Sequence, residues 1–163
     1  MAKLIFYVPF PRSRTDGDIR TNADEVAKCG ISNALGGPTV VVVFKGEESQ
    51  NEIGAGDYLC VHGHGGTGKY TTVTNNMGDE MTLSKLTDAL NTMGAEKAQA
   101  CFFFICFSAE KGHIAAKWKA DYPEQTVYGC TREAQGAVVS TMRGDKVRSS
   151  IFHAGNGQLS LVE

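Results

Sequence analysis

Two short segments of the chain combine residue types that carry out acyl-transfer chemistry. In the first, His62-Gly63-His64-Gly65, two histidines alternate with glycines directly after an apolar run. The second, Phe102-Phe103-Phe104-Ile105-Cys106-Phe107-Ser108-Ala109, is an apolar run that leads to a cysteine. A histidine next to a cysteine can take the thiol proton, and the thiolate then attacks a carbonyl carbon. The two segments therefore predict a Cys–His pair for thiol acyl transfer if the fold brings them together.

The elements that must position these residues are indicated by short apolar runs that alternate with amphipathic stretches. Strands that are apolar on both faces and alternate with helices imply a parallel sheet covered by helices on both sides. Five such strands are predicted, over Leu4–Val8, Thr39–Phe44, Asp57–Val61, Gln99–Cys106 and Thr126–Cys130. Helices are predicted over Thr21–Ala34, Leu83–Met93 (with Thr82 or Ser84 as its N-cap) and Gly112–Tyr122.

The pattern changes in two other parts of the chain. Lys69–Met81 contains residues that favour extended structure, so a small β excursion is predicted there. Beyond residue 136, polar and apolar residues mix over Ala137–Arg143, Lys146–His153 and Gln158–Val162, which indicates an antiparallel hairpin and a final edge strand. The predicted fold class is α/β, a three-layer sandwich with a mostly parallel sheet and an antiparallel C-terminal edge, in one domain spanning residues 1–163.

The carboxyl ends of the predicted strands should form the site, because ligands of parallel α/β sheets bind there. A thiol at such an end, just before a helix, lies near positive backbone dipole that favours the thiolate. Arg12 and Arg14 follow the first strand, and Arg132 and Glu133 follow the fifth. Arginines lining a substrate pocket would suit an acidic side chain. The alternative is that these four residues are solvated loop charges.

Composition limits the classes of function. The chain has 163 residues, with sixteen Lys and Arg against eighteen Asp and Glu, so it lacks the basic field of a nucleic-acid-binding protein. No apolar run is long enough to span a bilayer, and the N-terminal residues lack a signal-peptide pattern. Five cysteines argue against a disulfide framework. We expect no metal, no cofactor and a protein or peptide substrate, in the cytoplasm or as an effector secreted without a classical signal peptide.

The two motifs resemble those of the caspase-like (clan CD) cysteine peptidases, which include caspases, metacaspases, paracaspases, gingipains and clostripain. The run Tyr58–Gly65 is similar to the metacaspase strand that ends Ser-Gly-His-Gly. The run Phe104–Ala109 is similar to the metacaspase run Asp-Ser-Cys-His-Ser-Gly. Ala109 stands in place of the last glycine, and Phe104 in place of the acidic residue. The metacaspase preference for basic substrate residues is therefore not implied.

The resemblance implies a caspase-like fold and a cysteine endopeptidase, a hydrolase that works with a Cys–His dyad. Cys106 would be the nucleophile and His64 the base, with the backbone N–H groups of Gly65 and Cys106 as oxyanion hole. The Gly-His-Gly context favours His64, with His62 as the alternative base. Cys101 completes a Gln-Ala-Cys tripeptide typical of caspases, but it precedes the apolar run, and we interpret it as a core residue.

Three other interpretations of the sequence stay open. Gly63–Lys69 nearly matches the phosphate-binding loop of nucleotide-binding proteins, although Tyr70 stands where that loop has Ser or Thr. Cys60, His62 and His64 would share one face of a strand and could bind zinc, with Cys106 and His113 as further ligands. The chain could also be a flavodoxin-like binding or interaction domain without catalysis.

Overall fold

Nine strands and three α-helices form the part of the chain that the structure describes, a computed structural model covering residues 2–26, 38–66, 68–131 and 159–163. The strands are β1 (Lys3–Val8), β2 (Thr39–Phe44), β3 (Tyr58–His62), β4 (His64–Gly66), β5 (Lys69–Thr74), β6 (Glu80–Thr82), β7 (Ala100–Phe104), β8 (Thr126–Gly129) and β9 (Ser160–Leu161). The helices are α1 (Gly17–Val26), α2 (Leu83–Met93) and α3 (Ile114–Asp121).

Six strands form the main sheet in the order β2-β1-β3-β7-β8-β9. The first five strands in that order are parallel, and β9 runs antiparallel to β8. This confirms the predicted α/β fold with a mostly parallel sheet and an antiparallel C-terminal edge. The hairpin predicted over 137–153 lies outside the described residues.

The main sheet forms where the sequence is continuously apolar. Every residue of β7 is buried, and so are the five residues from Leu4 to Val8 in β1. Phe103 of β7 packs against the fully buried Trp118 of α3, with ring centroids 6.3 Å apart. Burying large aromatic and branched side chains in this way contributes about 1.5–3 kcal/mol for each. The core therefore fixes the sheet and, with it, the strand ends where the candidate residues lie.

A second, smaller sheet consists of β4, β5 and β6 in antiparallel order. It confirms the predicted β excursion. Helix α2 follows directly and matches its predicted bounds, with the Thr82 hydroxyl accepting from the Lys85 N–H at 3.2 Å. Gly94 ends this helix in the left-handed conformation, with φ of 76°. This small sheet carries His64 away from β3.

Several predicted bounds were wrong by one residue or more, and three of them lie next to the candidate site. Helix α1 begins at Gly17, not Thr21, and Asp18 occupies its first turn, where the helix dipole favours a carboxylate. The predicted residues 27–34 of that helix lie outside the described part. Helix α3 begins at Ile114 because His113 is its N-cap. Strand β7 ends at Phe104, so Cys106 lies two residues beyond the strand.

The strand order reverses between β1 and β3, because the chain moves from β1 to β2 on one side and from β3 to β7 on the other. Ligand sites of open α/β sheets lie outside the carboxyl ends of strands at such a reversal. The residues after β1 and β3 therefore occupy the position where a site is expected. Among the described residues, no helix is both long and apolar enough to cross a membrane.

Candidate active site

Cys106 lies on a tight turn after β7 and is half-buried. The Ser108 N–H closes this turn by donating to the Ile105 carbonyl at 3.1 Å. Phe107 has a φ of 59° and is the only non-glycine with positive φ in the described part of the chain. Residues held in this region cost on the order of 1–3 kcal/mol and cluster at functional sites. The turn thus holds a thiol at the carboxyl edge of the sheet at a conformational cost.

Ser108 fixes the turn to the two strands below it. Its buried hydroxyl donates to the Phe103 carbonyl at 2.8 Å and accepts from the Cys130 N–H at 2.9 Å. The Ala109 N–H donates to the Cys130 carbonyl at 2.9 Å. The serine of the Cys-x-Ser motif is therefore a structural residue that positions Cys106 relative to β7 and β8.

Strand β4 approaches the same turn through Gly65. A Cβ atom at Gly65 would overlap the backbone carbonyl oxygen of Cys106 and would lie 2.8 Å from Ile105 Cγ2. It would also lie 3.0 Å from His113 Nε2. Only glycine allows backbone to approach backbone this closely. The contact brings the strand that carries His64 next to the turn that carries Cys106.

His64 is oriented by two polar side chains from other parts of the chain. Its Nε2–H donates to Asp18 Oδ1 at 3.2 Å and to Asn76 Oδ1. Asn76 Nδ2 also donates to Asp18 Oδ1, at 2.6 Å. All hydrogen bonds that His64 makes with the described residues use Nε2, which leaves Nδ1 as the nitrogen for proton transfer. The ring is 32% exposed, so a substrate can reach it.

Asp18 provides the negative charge beside His64. Burial raises the pKa of this carboxyl, but the hydrogen bond from Asn76, the neighbouring His64 and a backbone hydrogen bond together outweigh burial. The net effect is a pKa below the ordinary value for aspartate. The carboxylate is therefore ionised at neutral pH and available to stabilise a positive imidazolium.

His62 is placed differently, inside the core. Its Nδ1–H donates to the Phe104 carbonyl at 2.8 Å, and its Nε2 accepts from Asn22 Nδ2 at 2.8 Å. The ring packs between Phe6 and Phe104, with centroid distances of 5.6 and 4.9 Å. Burial lowers the pKa of His62 to about 4, so the ring is neutral at pH 7. Both ring nitrogens are occupied, which favours a structural role for His62.

The predicted pocket arginines form ion pairs within the protein. Arg12 lies 3.2 Å from Glu47 and stacks over the Phe44 ring at 4.2 Å. Arg14 binds both carboxylate oxygens of Asp79 at 2.9 Å each. An acidic substrate side chain would have to displace these carboxylates. Arg132 and Glu133 lie outside the described residues, so their place in a pocket stays a prediction.

Three other cysteines, Cys60, Cys101 and Cys130, are buried and free. Burial raises the pKa of each thiol, that of Cys130 to about 12. This confirms the interpretation of Cys60 and Cys101 as core residues. Cys29 lies outside the described residues.

A second polar group lies on the Cys106 side, and the sequence indicated it only as a possible zinc ligand. His113 is fully buried, and its Nδ1 accepts from the Ile114 N–H at 2.7 Å. Its Nε2, which lies against Gly65, lacks a partner among the described residues. Tyr70 packs on this ring at 5.6 Å and donates a hydrogen bond to Glu110. The pair Tyr70–Glu110 thus ties the small sheet to the loop after Cys106.

The sequence also failed to indicate Asp18 and Asn76 as partners of His64. They lie 46 and 12 residues from it along the chain, so no local spacing connects them. The signals available were an aspartate at the start of a helix after the first strand and the turn-forming run Asn75-Asn76-Met77-Gly78. Only the fold shows that both reach one histidine.

The geometry supports neither the zinc nor the nucleotide interpretation. No group of three or more His, Cys, Asp or Glu side chains in the described residues could hold a metal ion. Cys60 and His62 are in β3, whereas His64 belongs to the second sheet. The segment Gly63–Lys69 leads into β5, so no helix N-terminus follows it to bind phosphate.

The sequence matches no protein-family model and no curated protein.

Proposed function

We propose that this protein is a cysteine peptidase in which Cys106 is the nucleophile and His64 the general base. The observation that carries the proposal is the contact of Gly65 with the Cys106 carbonyl. It brings the strand that carries the partly exposed His64 against the turn that carries the half-buried Cys106, and the His64 hydrogen bonds to the described residues leave Nδ1 unused. A Cys–His pair of this kind is the activated nucleophile of thiol acyl transfer.

The chemistry follows in two stages. His64 Nδ1 takes the proton of Cys106, and the sulfur attacks the carbonyl carbon of the scissile peptide bond. The tetrahedral intermediate collapses to a thioester when the peptide C–N bond breaks, and His64 protonates the leaving amine. Water, deprotonated by His64, then attacks the thioester and releases the acid and the thiol.

The oxyanion of the intermediate needs hydrogen-bond donors near Cys106. The backbone N–H groups of Gly65 and Cys106 are the candidates, because the two residues are in contact through their main chains. A fixed donor of this type lowers the barrier by about 2.7–4 kcal/mol.

The fold agrees with the same proposal. In the sheet order β2-β1-β3-β7-β8-β9 only the last strand is antiparallel, and β3 and β7 are neighbours. In this arrangement His64 follows β3 and Cys106 follows the adjacent strand β7. We propose in addition that the sheet and its helices form a caspase-like three-layer sandwich.

Peptidase activity can be tested on a mixture of many polypeptides, so the natural substrate need not be identified first. The purified protein is incubated with a denatured proteome, and new N-termini are identified by mass spectrometry. We expect cleavages with the wild type, with or without EDTA, and none with Cys106→Ala. His64→Ala should also abolish cleavage, whereas a folded His62→Gln variant should keep measurable activity. Equal cleavage by wild type and Cys106→Ala would rule out the thiol mechanism, and no cleavage by any form would favour the binding-domain interpretation.

A further inference from the structure

We infer that Asp18, anchored by Asn76, is a positioning residue that holds His64 in the tautomer and orientation needed to deprotonate Cys106. The inference rests on the proposed function and extends its Cys–His dyad to a third, acidic member.

The hydrogen bonds around Asp18 converge on one carboxylate oxygen. Oδ1 of Asp18 accepts from His64 Nε2 at 3.2 Å and from Asn76 Nδ2 at 2.6 Å. Asn76 in turn accepts from His64 Nε2, so the three side chains form a closed ring of contacts. Such a ring restricts the imidazole more than a single hydrogen bond would.

Asp18 and Asn76 are also anchored to the backbone through contacts that do not involve His64. Asn76 Nδ2 donates to the Asp16 carbonyl at 3.0 Å, just before Asp18. The neighbouring Asn75 donates to the Arg14 carbonyl at 2.8 Å, and the Arg14–Asp79 ion pair joins the same two loops. The loop before α1 and the turn between β5 and β6 therefore lie in fixed positions. His64 meets a preorganised acceptor pair.

This arrangement determines where the proton of the neutral imidazole lies. A carboxylate accepts hydrogen bonds only, so it requires the proton to be on Nε2 and leaves the lone pair on Nδ1. When His64 takes the thiol proton, the same carboxylate stabilises the positive imidazolium. Asp18 should therefore favour the thiolate–imidazolium pair over the neutral thiol and imidazole.

Other charged groups near His64 do not supply this effect. His62, the titratable neighbour on β3, is neutral at pH 7 because burial lowers its pKa. Arg14 and Asp79, from the two loops, neutralise each other in their ion pair. Asp18, at the start of α1, is the group that forms an ion pair with the His64 ring.

The test measures the rate of alkylation of Cys106 by iodoacetamide as a function of pH, which requires no peptide substrate. All proteins carry Cys29→Ser, and the modified peptide is quantified by mass spectrometry. We expect Asp18→Asn to reduce the rate at pH 6 by about tenfold and to move the profile to higher pH. Asp18→Glu, which retains the charge, should recover part of the rate. Asp24→Asn is the matched control, because Asp24 lies on the same helix and pairs with Arg20 at 3.2 Å.

The outcomes separate this inference from the proposed function. If His64→Ala moves the pH profile and Asp18→Asn does not, the dyad stands and the role of Asp18 is wrong. If His64→Ala leaves the profile unchanged, the proposed base itself is wrong. A role of Asp18 in folding alone would lower the melting temperature of Asp18→Asn but leave the profile of the folded protein as in wild type, and would overturn the inference.

Discussion

Gly65 lies so close to the backbone carbonyl of Cys106 that no side chain fits between the two residues. The neighbouring atoms, Ile105 Cγ2 and His113 Nε2, would be 2.8 and 3.0 Å from a Cβ atom at this position. Both belong to the chain segment around Cys106 and are buried, so they have little space to yield. The glycine after His64 is therefore a requirement of the geometry that joins the candidate base to the candidate nucleophile.

Replacing Gly65 with alanine tests this contact. The added methyl group must push β4 away from the Cys106 turn, at a cost of about 1–3 kcal/mol. Because a misplacement of about 1 Å can cost about a hundredfold in rate, we expect a loss of that order in peptide cleavage. Gly56→Ala is the control, since nothing lies within 4 Å of a Cβ atom there. Equal cleavage rates for the two variants would contradict the prediction.

Ser108→Ala should reduce the free energy of unfolding by about 1–3 kcal/mol, because it removes a buried hydrogen-bond partner of the Phe103 carbonyl and the Cys130 N–H. Urea denaturation followed by circular dichroism measures the loss. Ser84→Ala, on the exposed side of α2, should change stability by about 0.5 kcal/mol or less. A Ser108→Ala variant as stable as Ser84→Ala would show that the hydroxyl does not fix the turn.

The elements that the sequence predicted well are those whose signals are local. The β-branched run Thr39–Phe44 indicated β2 with the bounds that the structure has. Helix α2 was also predicted with its observed bounds, from the N-cap Thr82 and the apolar spacing of Leu86, Leu90 and Met93. In both cases the residues that define the element also define its ends, so no distant contact was needed.

The candidate site depends on contacts that no local pattern encodes. His62 and His64 are both followed by glycine, so the sequence alone could only favour one of them. What distinguishes their surroundings is tertiary: Asn22 and the Phe104 carbonyl enclose His62, whereas Asp18 and Asn76 reach His64. The pairing of Arg12 with Glu47 and of Arg14 with Asp79 is equally non-local, and could not be expected from their place after β1.

Acid should destabilise the protein through His62. Its folded-state pKa of about 4 is below the ordinary 6.5, so the unfolded chain binds a proton that the folded protein does not. The stability that the neutral His62 contributes is therefore fully present above pH 6.5, and it is lost as the pH falls from 6.5 to about 4. The total is on the order of 3 kcal/mol, measured as the fall in unfolding free energy across that range.

The His62→Gln variant isolates this contribution. Its stability should change less between pH 6.5 and 4 than that of the wild type. His113, whose pKa is also lowered by burial, is present in both proteins. Asp18 is present in both as well, and its lowered pKa affects stability mainly below pH 4. The difference between the two profiles thus belongs to His62. Parallel profiles would mean that the ring is charged in the folded protein, contrary to its buried hydrogen bonds.

Thiol reactivity should distinguish Cys106 from the buried cysteines. A rise in the pKa of Cys130 from an ordinary 9.0 to about 12 lowers its thiolate fraction at pH 7 by about a thousandfold. Cys60 and Cys101 have their pKa raised by burial as well and are inaccessible to reagent. Cys106 is half-buried and lies next to the strand that carries His64. In a Cys29→Ser background, iodoacetamide at pH 6 should therefore label Cys106 well before the other three.

Denaturation provides the control for that experiment. In concentrated guanidinium chloride the four cysteines lose their separate environments, so they should react at similar rates. His64→Ala should slow Cys106 in the folded protein but not in the denatured chain, because the imidazolium acts only where the fold holds it beside the thiol. Folded-state labelling of Cys130 as fast as that of Cys106 would contradict the burial of the Cys130 thiol. Labelling of Cys106 that is unchanged by His64→Ala would leave an accessible thiol without a base, and the peptidase mechanism would then fail.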